Sequence, residues 1–136
     1  MKLDLSSLEK ALASLGRALV RAQAAPADEE LRDATIQRFE FSFELAWKML
    51  KRRLELDLPS TAELDGMNYR TLIRVGAEQG LLDDVSAWLI YRDKRNLTSH
   101  TYDEKKAQEV YAVIPAFAAH AADLLKRLQA KGQEDA

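Results

Sequence analysis

This chain of 136 residues contains no cysteine. Disulfides, thiolate-bound metals and thiol nucleophiles are excluded with it. Histidine is nearly as scarce: there are 2, His100 and His120, too few for a multi-histidine metal site. Glycine (5) and proline (3) are rare, which excludes a low-complexity or disordered chain. Charge of one sign is not in excess either. The 20 Lys and Arg against 22 Asp and Glu leave a net charge of −2, so any nucleic-acid contact has to come from a local patch. No run of about 18 uncharged apolar residues exists to span a bilayer. Met1, Lys2 and Asp4 lead into an amphipathic stretch rather than an apolar export signal, and the expectation is a soluble cytoplasmic protein. Several catalytic patterns are missing too: P-loop, G-x-G-x-x-G, H-E-x-x-H and G-x-S-x-G.

What is present is 47% hydrophobic and 31% charged residues, with only 7% aromatics. Ala, Leu, Glu, Lys and Arg dominate, a composition that favours helices. The length suits one domain, since domains run to about 150 residues, with a core that needs no metal or disulfide. With no repeat and no linker, residues 1–130 form a single domain, and the polar tail 131–136 is expected to fray.

The periodicity divides that domain into helices. Leu5, Leu8, Leu12, Leu15 and Leu19 predict a first helix over 3–24. Asp28 is the expected N-cap of a second, ending near Asp57. On it Ile36, Phe39, Phe43, Ala46, Trp47, Leu50 and Leu54 share one face. Glu40, Glu44, Lys48, Lys51 and Glu55 form a polar strip, and Phe41, Leu45 and Met49 make a second apolar stripe. A helix apolar on two sides lies between neighbours or faces a second subunit. The run Lys48, Lys51, Arg52, Arg53 reads as a solvated face. A third helix is predicted from Asn68 to Glu78, stopping at Gly80. A fourth starts at Asp83 or Asp84, both read as helix-start residues. Thr101-x-x-Glu104 fits a capping box, predicting a fifth helix with Thr101 as N-cap, Tyr102 at its first position and a kink at Pro115. No segment alternates long enough to be a strand. The predicted fold is an all-α, up-and-down bundle of four or five helices.

The one dense polar cluster runs from Arg92 to Tyr102. Arg92, Arg95 and Ser99 continue the helical line of Leu81, Val85 and Trp88, so an apolar face becomes cationic without changing direction. That pattern suits an anion site or a subunit interface. A chain turn near His100 brings the ring toward Arg95, and Tyr102 at a helix N-terminus places free N–H groups where a phosphate can sit. The residues leave a second reading open. Arg92 and Arg95 can pair with acids on a neighbouring helix, while His100 and Tyr102 fill a helix–helix corner. Spacing alone favours this packing reading, because R-x-x-x-x-H is a short pattern. His120, on an alanine-rich helix, reads as structural.

At these residues the sequence resembles a known family. Arg95-Asn96-Leu97-Thr98-Ser99-His100-Thr101-Tyr102 is similar to the R-x4-H-x-Y signature of HEPN-domain proteins. The segment from Gln37 to Lys48, and Gly80-Leu81-Leu82-Asp83-Asp84 followed by Trp88, are similar to the HepT-like nucleotidyltransferase substrate-binding branch. The resemblance spans roughly residues 3 to 130. It implies a helical bundle forming homodimers, with a minimal nucleotidyltransferase partner. In toxin–antitoxin versions it implies a metal-independent endoribonuclease that needs no cofactor and is silenced by AMP transfer to the motif tyrosine, here Tyr102. It also implies an alternative, a non-catalytic substrate- or nucleotide-binding subunit of a two-component nucleotidyltransferase.

The residue chemistry is compatible with RNA cleavage by the ribose 2′-OH. Imidazole exchanges protons near neutral pH, so His100 is the candidate general acid or base. Arg95 can clamp the phosphate and its developing charge, and Asn96 can orient the reacting groups. Arg92, Lys94 and Ser99 are candidate RNA or phosphate contacts. A single suitable histidine per chain calls for a site composed of two chains. The complete Arg, Asn, His and Tyr set favours the enzyme reading; the balanced charge counts against a general RNA binder.

Overall fold

In the computed structural model, which describes residues 3–58, 64 and 66–134, the first long helix, α1, spans Ser6–Ala24 and buries Leu8, Leu15 and Leu19. The chain turns at Ala25 to Ala27 and enters α2, Glu29–Asp57. Asp28 is its N-cap: the carboxylate accepts from the backbone N–H groups of Glu30 (3.0 Å) and Leu31 (3.1 Å), two donors that the first helical turn leaves open. The third helix, α3, spans Tyr69–Glu78, capped by Asn68, and ends where Gly80 takes a left-handed φ of 77°. Asp84 caps α4, Val85–Asn96. A 3-10 turn over Thr98–His100 leads to α5, Glu104–Glu134. The described residues thus form the expected all-α, up-and-down bundle with five α-helices.

The three long helices α1, α2 and α5 pack along one another, and α3 and α4 lie against α2 and α5. Phe117 of α5 is the hub of the seam. Its ring meets Phe39 of α2 edge-on at 5.0 Å, and Tyr91 and Trp88 of α4 at 5.4 and 5.9 Å. Trp88 and Tyr91 are the buried residues of α4, so the helix is anchored through its middle and presents its C-terminal half outward. Tyr91 also reaches the half-buried His120, its hydroxyl 2.5 Å from Nδ1, so this histidine braces a core aromatic, in line with a structural reading.

Several expectations need correction. Arg53 does not belong to a solvated cationic face: it is 3% exposed and bound to Asp57 one turn on. At 100° per residue a run of cations wraps around the helix, and position 53 falls beside the buried Leu50 and Leu54. Lys48 and Arg52 are exposed. Helix α5 passes through the exposed Pro115 and continues to Glu134, so residues 131–134 of the expected frayed tail are helical. Asp84 alone starts α4. Asp83 instead pairs with Arg127 of α5 at 2.5 Å, and this contact holds its carboxyl below the usual range. Of the second stripe on α2, Met49 is buried and Leu45 half-buried, while Phe41 is 42% exposed.

Candidate functional site

The outward end of α4 faces the polar strip of α2. Arg95 donates from Nε to Glu44 Oε1 at 2.6 Å, and its Nη2 lies 3.5 Å from Glu40 Oε1. The second oxygen of Glu44 accepts from the indole N–H of Trp47 at 3.2 Å. One carboxylate therefore fixes both a guanidinium of α4 and an aromatic ring of α2. One turn before Arg95, the guanidinium of Arg92 lies over the Tyr69 ring at 4.9 Å, a cation–π contact. The Tyr69 hydroxyl donates to the carbonyl of Trp88 at 2.8 Å, and burial raises its pKa, so it remains a protonated donor. Between α2, α3 and α4 these side chains enclose a cleft of about 610 Å³, into which Arg92, Arg95 and Asn96 all open.

The chain then reverses through the 3-10 turn. The Thr98 hydroxyl is buried and donates to the carbonyl of Arg95 at 2.8 Å, and Thr101 donates to the carbonyl of Thr98. Thr98 thereby ties the turn to the end of α4. His100 is exposed at the close of the turn, its ring centroid 6.1 Å from that of Tyr102 in an edge-on arrangement. Tyr102 is 85% exposed.

Helix α5 is not capped as the sequence suggests. Thr101 lies outside it, and the carboxylate of Asp103 accepts from Lys105 N–H at 3.0 Å and Lys106 N–H at 3.4 Å. Asx capping by a carboxylate one residue before the helix displaces the Thr-x-x-Glu box. Glu104 is drawn instead to Arg32 of α2, at 2.6 Å, and that contact lowers its pKa. Tyr102 accordingly precedes the helix rather than opening it. The N–H groups offered there as a phosphate site already serve Asp103. Ser99 likewise leaves the line of Arg92 and Arg95, because α4 ends at Asn96.

Residues 3–130 match the family described as nucleotidyltransferase substrate binding protein like. The chain belongs to this family. It is similar to a Haemophilus influenzae protein named probable ribonuclease HepT, with 37% identity over 98% of this chain and 97% of that protein. It is also similar to a solved Haemophilus influenzae structure described as the fold of a substrate binding domain of a nucleotidyltransferase. That match has a TM-score of 0.88 and 36% identity, covering 93% of this chain and 99% of the other. A Thermus thermophilus structure matches with a TM-score of 0.72 and 36% identity over 89% of this chain and 98% of that one.

In this HepT-like member the motif residues fall into two groups. Arg92, Arg95 and Asn96 face the cleft, whereas His100 and Tyr102 share the exposed turn and Ser99 is exposed beside them. Lys94 is half-buried on α4. The packing reading holds in part: Arg95 pairs with acids of α2, but Arg92 lies over the Tyr69 ring and Tyr102 fills no corner. Glu40, Glu44, Tyr69 and Thr98 are site residues that the motif does not mark. The only signal for the two glutamates is their place in the polar strip of α2. Among the described residues no group of three His, Asp or Glu side chains is placed to hold a metal ion, and no helix is long and apolar enough to cross a membrane.

Proposed function

We propose that the protein is a metal-independent endoribonuclease of the HepT type, acting as a homodimer and silenced by AMP transfer to Tyr102 from a minimal nucleotidyltransferase. The observation that carries this reading is the pairing of an exposed His100 with an exposed Tyr102 on the turn that directly follows Arg95 and Asn96. The likeness to a protein named probable ribonuclease HepT supports it. In the reaction a base removes the proton of a ribose 2′-OH and O2′ attacks the adjacent phosphorus. The P–O5′ bond breaks and the departing O5′ takes up a proton. The products are a 2′,3′-cyclic phosphate and a 5′-hydroxyl. His100 moves a proton, Arg95 holds the phosphate, and Asn96 orients the reacting groups. His120 has its Nδ1 at the Tyr91 hydroxyl and lies outside the motif, so each chain offers one motif imidazole, His100. Acid and base then come from the two His100 residues of a dimer, with Arg92, Lys94 and Ser99 contacting the RNA backbone.

Silencing is a transfer in which the Tyr102 oxygen attacks the α-phosphorus of ATP, the phenol loses its proton and pyrophosphate leaves. The added AMP places charge and bulk beside His100. The binding-subunit reading draws on the Arg95–Glu44 ion pair, which engages the guanidinium within the chain. Incubating the purified protein with RNA in EDTA and analysing the ends by mass spectrometry tests the proposal. Cyclic phosphate and 5′-hydroxyl ends are expected; intact RNA is the outcome of the binding-subunit reading. Light scattering is expected to show a dimer at micromolar concentration.

A further inference from the structure

We infer that the cleft beside Arg95 holds the base of an unpaired RNA nucleotide whose phosphate engages Arg95, so that the enzyme selects single-stranded sites through a base subsite. The inference rests on the ribonuclease reading for its ligand. Its observations come from residues outside the motif as well as within it.

A nucleotide offers a recognition site three things: a flat π face, hydrogen-bonding edges and a negative phosphate. The cleft supplies a counterpart to each. For the π face there is Trp47, whose indole is half-buried, tethered to Glu44 and edge-on to Tyr69 at 6.5 Å. Bases stack on such rings with little regard to sequence. The planar guanidinium of Arg92, held over Tyr69, adds a cationic surface.

For the edges there are two primary amides. The side-chain carbonyl of Asn68 accepts from Thr71 N–H at 2.9 Å, which leaves its NH2 to donate to a base. Asn96 is exposed and lines the same cleft, offering both a donor and an acceptor. For the phosphate there are Lys51, Arg92 and Arg95 against Glu44, the one carboxylate among the described residues of the lining. The volume, about 610 Å³, is in the range of about 300–1,000 Å³ typical of small-ligand sites. It suits a splayed-out nucleotide and not a duplex, whose stacked bases present no free face. An amphipathic partner helix seeks a continuous apolar trough, and here Lys51, Arg92 and the two amides interrupt it.

The chain carries its own reporter. Of its 2 tryptophans, Trp88 is buried in the bundle, so a ligand in the cleft changes the emission of Trp47. The probes are 2′-O-methyl hexamers of adenine and of uracil, which lack the attacking 2′-OH and stay intact. Companion hexamers carry one abasic position each. Saturable quenching is expected with the wild type and none with Trp47→Phe, which leaves only Trp88. Read by the fluorescence anisotropy of an end-labelled hexamer, which does not depend on Trp47, Trp47→Ala and Lys51→Ala should each weaken binding about tenfold, as should an abasic residue at one position of the hexamer. Asn68→Asp keeps the cap acceptor but replaces the NH2 with a carboxylate oxygen, and should weaken binding without lowering the melting temperature. A flat abasic series, or wild-type affinity in Trp47→Ala, overturns the subsite. The two proposals fail separately. RNA cleavage with a flat abasic series removes the base subsite alone, while base-dependent binding without any cleavage removes the ribonuclease reading and leaves the subsite standing.

Discussion

Arg95 and Glu44, 51 residues apart in sequence, are joined by a hydrogen-bonded ion pair of 2.6 Å that sets the resting state of the candidate site. The guanidinium proposed to receive a phosphate already holds a carboxylate, with Glu40 as a second, longer partner. An incoming phosphate competes with Glu44 for the same N–H donors. The pair is partly exposed, so the competition is mild: such pairs contribute about 0.2–1 kcal/mol. Glu44 thus keeps Arg95 oriented toward the cleft at small cost to phosphate binding.

Glu44→Gln separates those two effects. The neutral amide still accepts from Arg95 but no longer competes as a charge. Binding of uncleavable RNA should tighten about two- to fivefold, following the free energy of an exposed pair. The turnover rate should fall, because the guanidinium is less firmly aimed. Affinity and single-turnover rates measured on the same variant check this. Weaker binding together with an unchanged rate would show that Glu44 does not compete with the phosphate.

Tyr102→Phe removes one oxygen from a ring that is 85% exposed and leaves the bundle intact. The variant should cleave RNA at the wild-type rate yet resist inactivation by a partner nucleotidyltransferase with ATP. Intact-mass measurement should show AMP-sized additions on the wild type and none on the variant. Additions that persist in Tyr102→Phe place the modification on another residue.

Ser42 lies inside the bundle on α2 with its hydroxyl fully buried and without a hydrogen-bond partner among the described residues. An unsatisfied buried polar group costs about 1–3 kcal/mol. Ser42→Ala keeps the helix and removes the orphan oxygen. Thermal unfolding should shift upward by about 2–4 °C for each kcal/mol recovered. A lower melting temperature would show that the hydroxyl is satisfied in solution.

The fold could be read from the sequence because its determinants are local or periodic. Asp28, Asn68 and Asp84 cap the helices that they were expected to open, and Gly80 ends α3 with the left-handed φ that only glycine takes readily. The segment from Leu97 to Asp103 departs from the sequence expectation because two local patterns compete there. Thr101 and Asp103 can each cap α5, and only the placement of Arg32 opposite Glu104 shows why the capping box loses its glutamate. Arg53 departs from the sequence expectation for a related reason, since adjacent residues of a charged run point in different directions. The site was half visible. The motif marks Arg95 and His100, but the partners Glu44 and Tyr69 come from other helices, and no spacing along the chain records that proximity.

If His100 performs proton transfer in RNA cleavage, removing its imidazole must slow the reaction itself. Wild type and His100→Ala, matched for dimer content and melting temperature, are incubated with the same RNA in EDTA, and initial cleavage rates are measured. His100 is exposed on its turn, so the substitution should leave the fold unchanged. General acid–base catalysis contributes typically about 10²–10⁴-fold, so His100→Ala should lose cleavage by at least two orders of magnitude. Wild-type rates in His100→Ala would show that another group moves the proton, and wild-type cleavage that appears only when a divalent metal replaces EDTA would show a metal-dependent reaction.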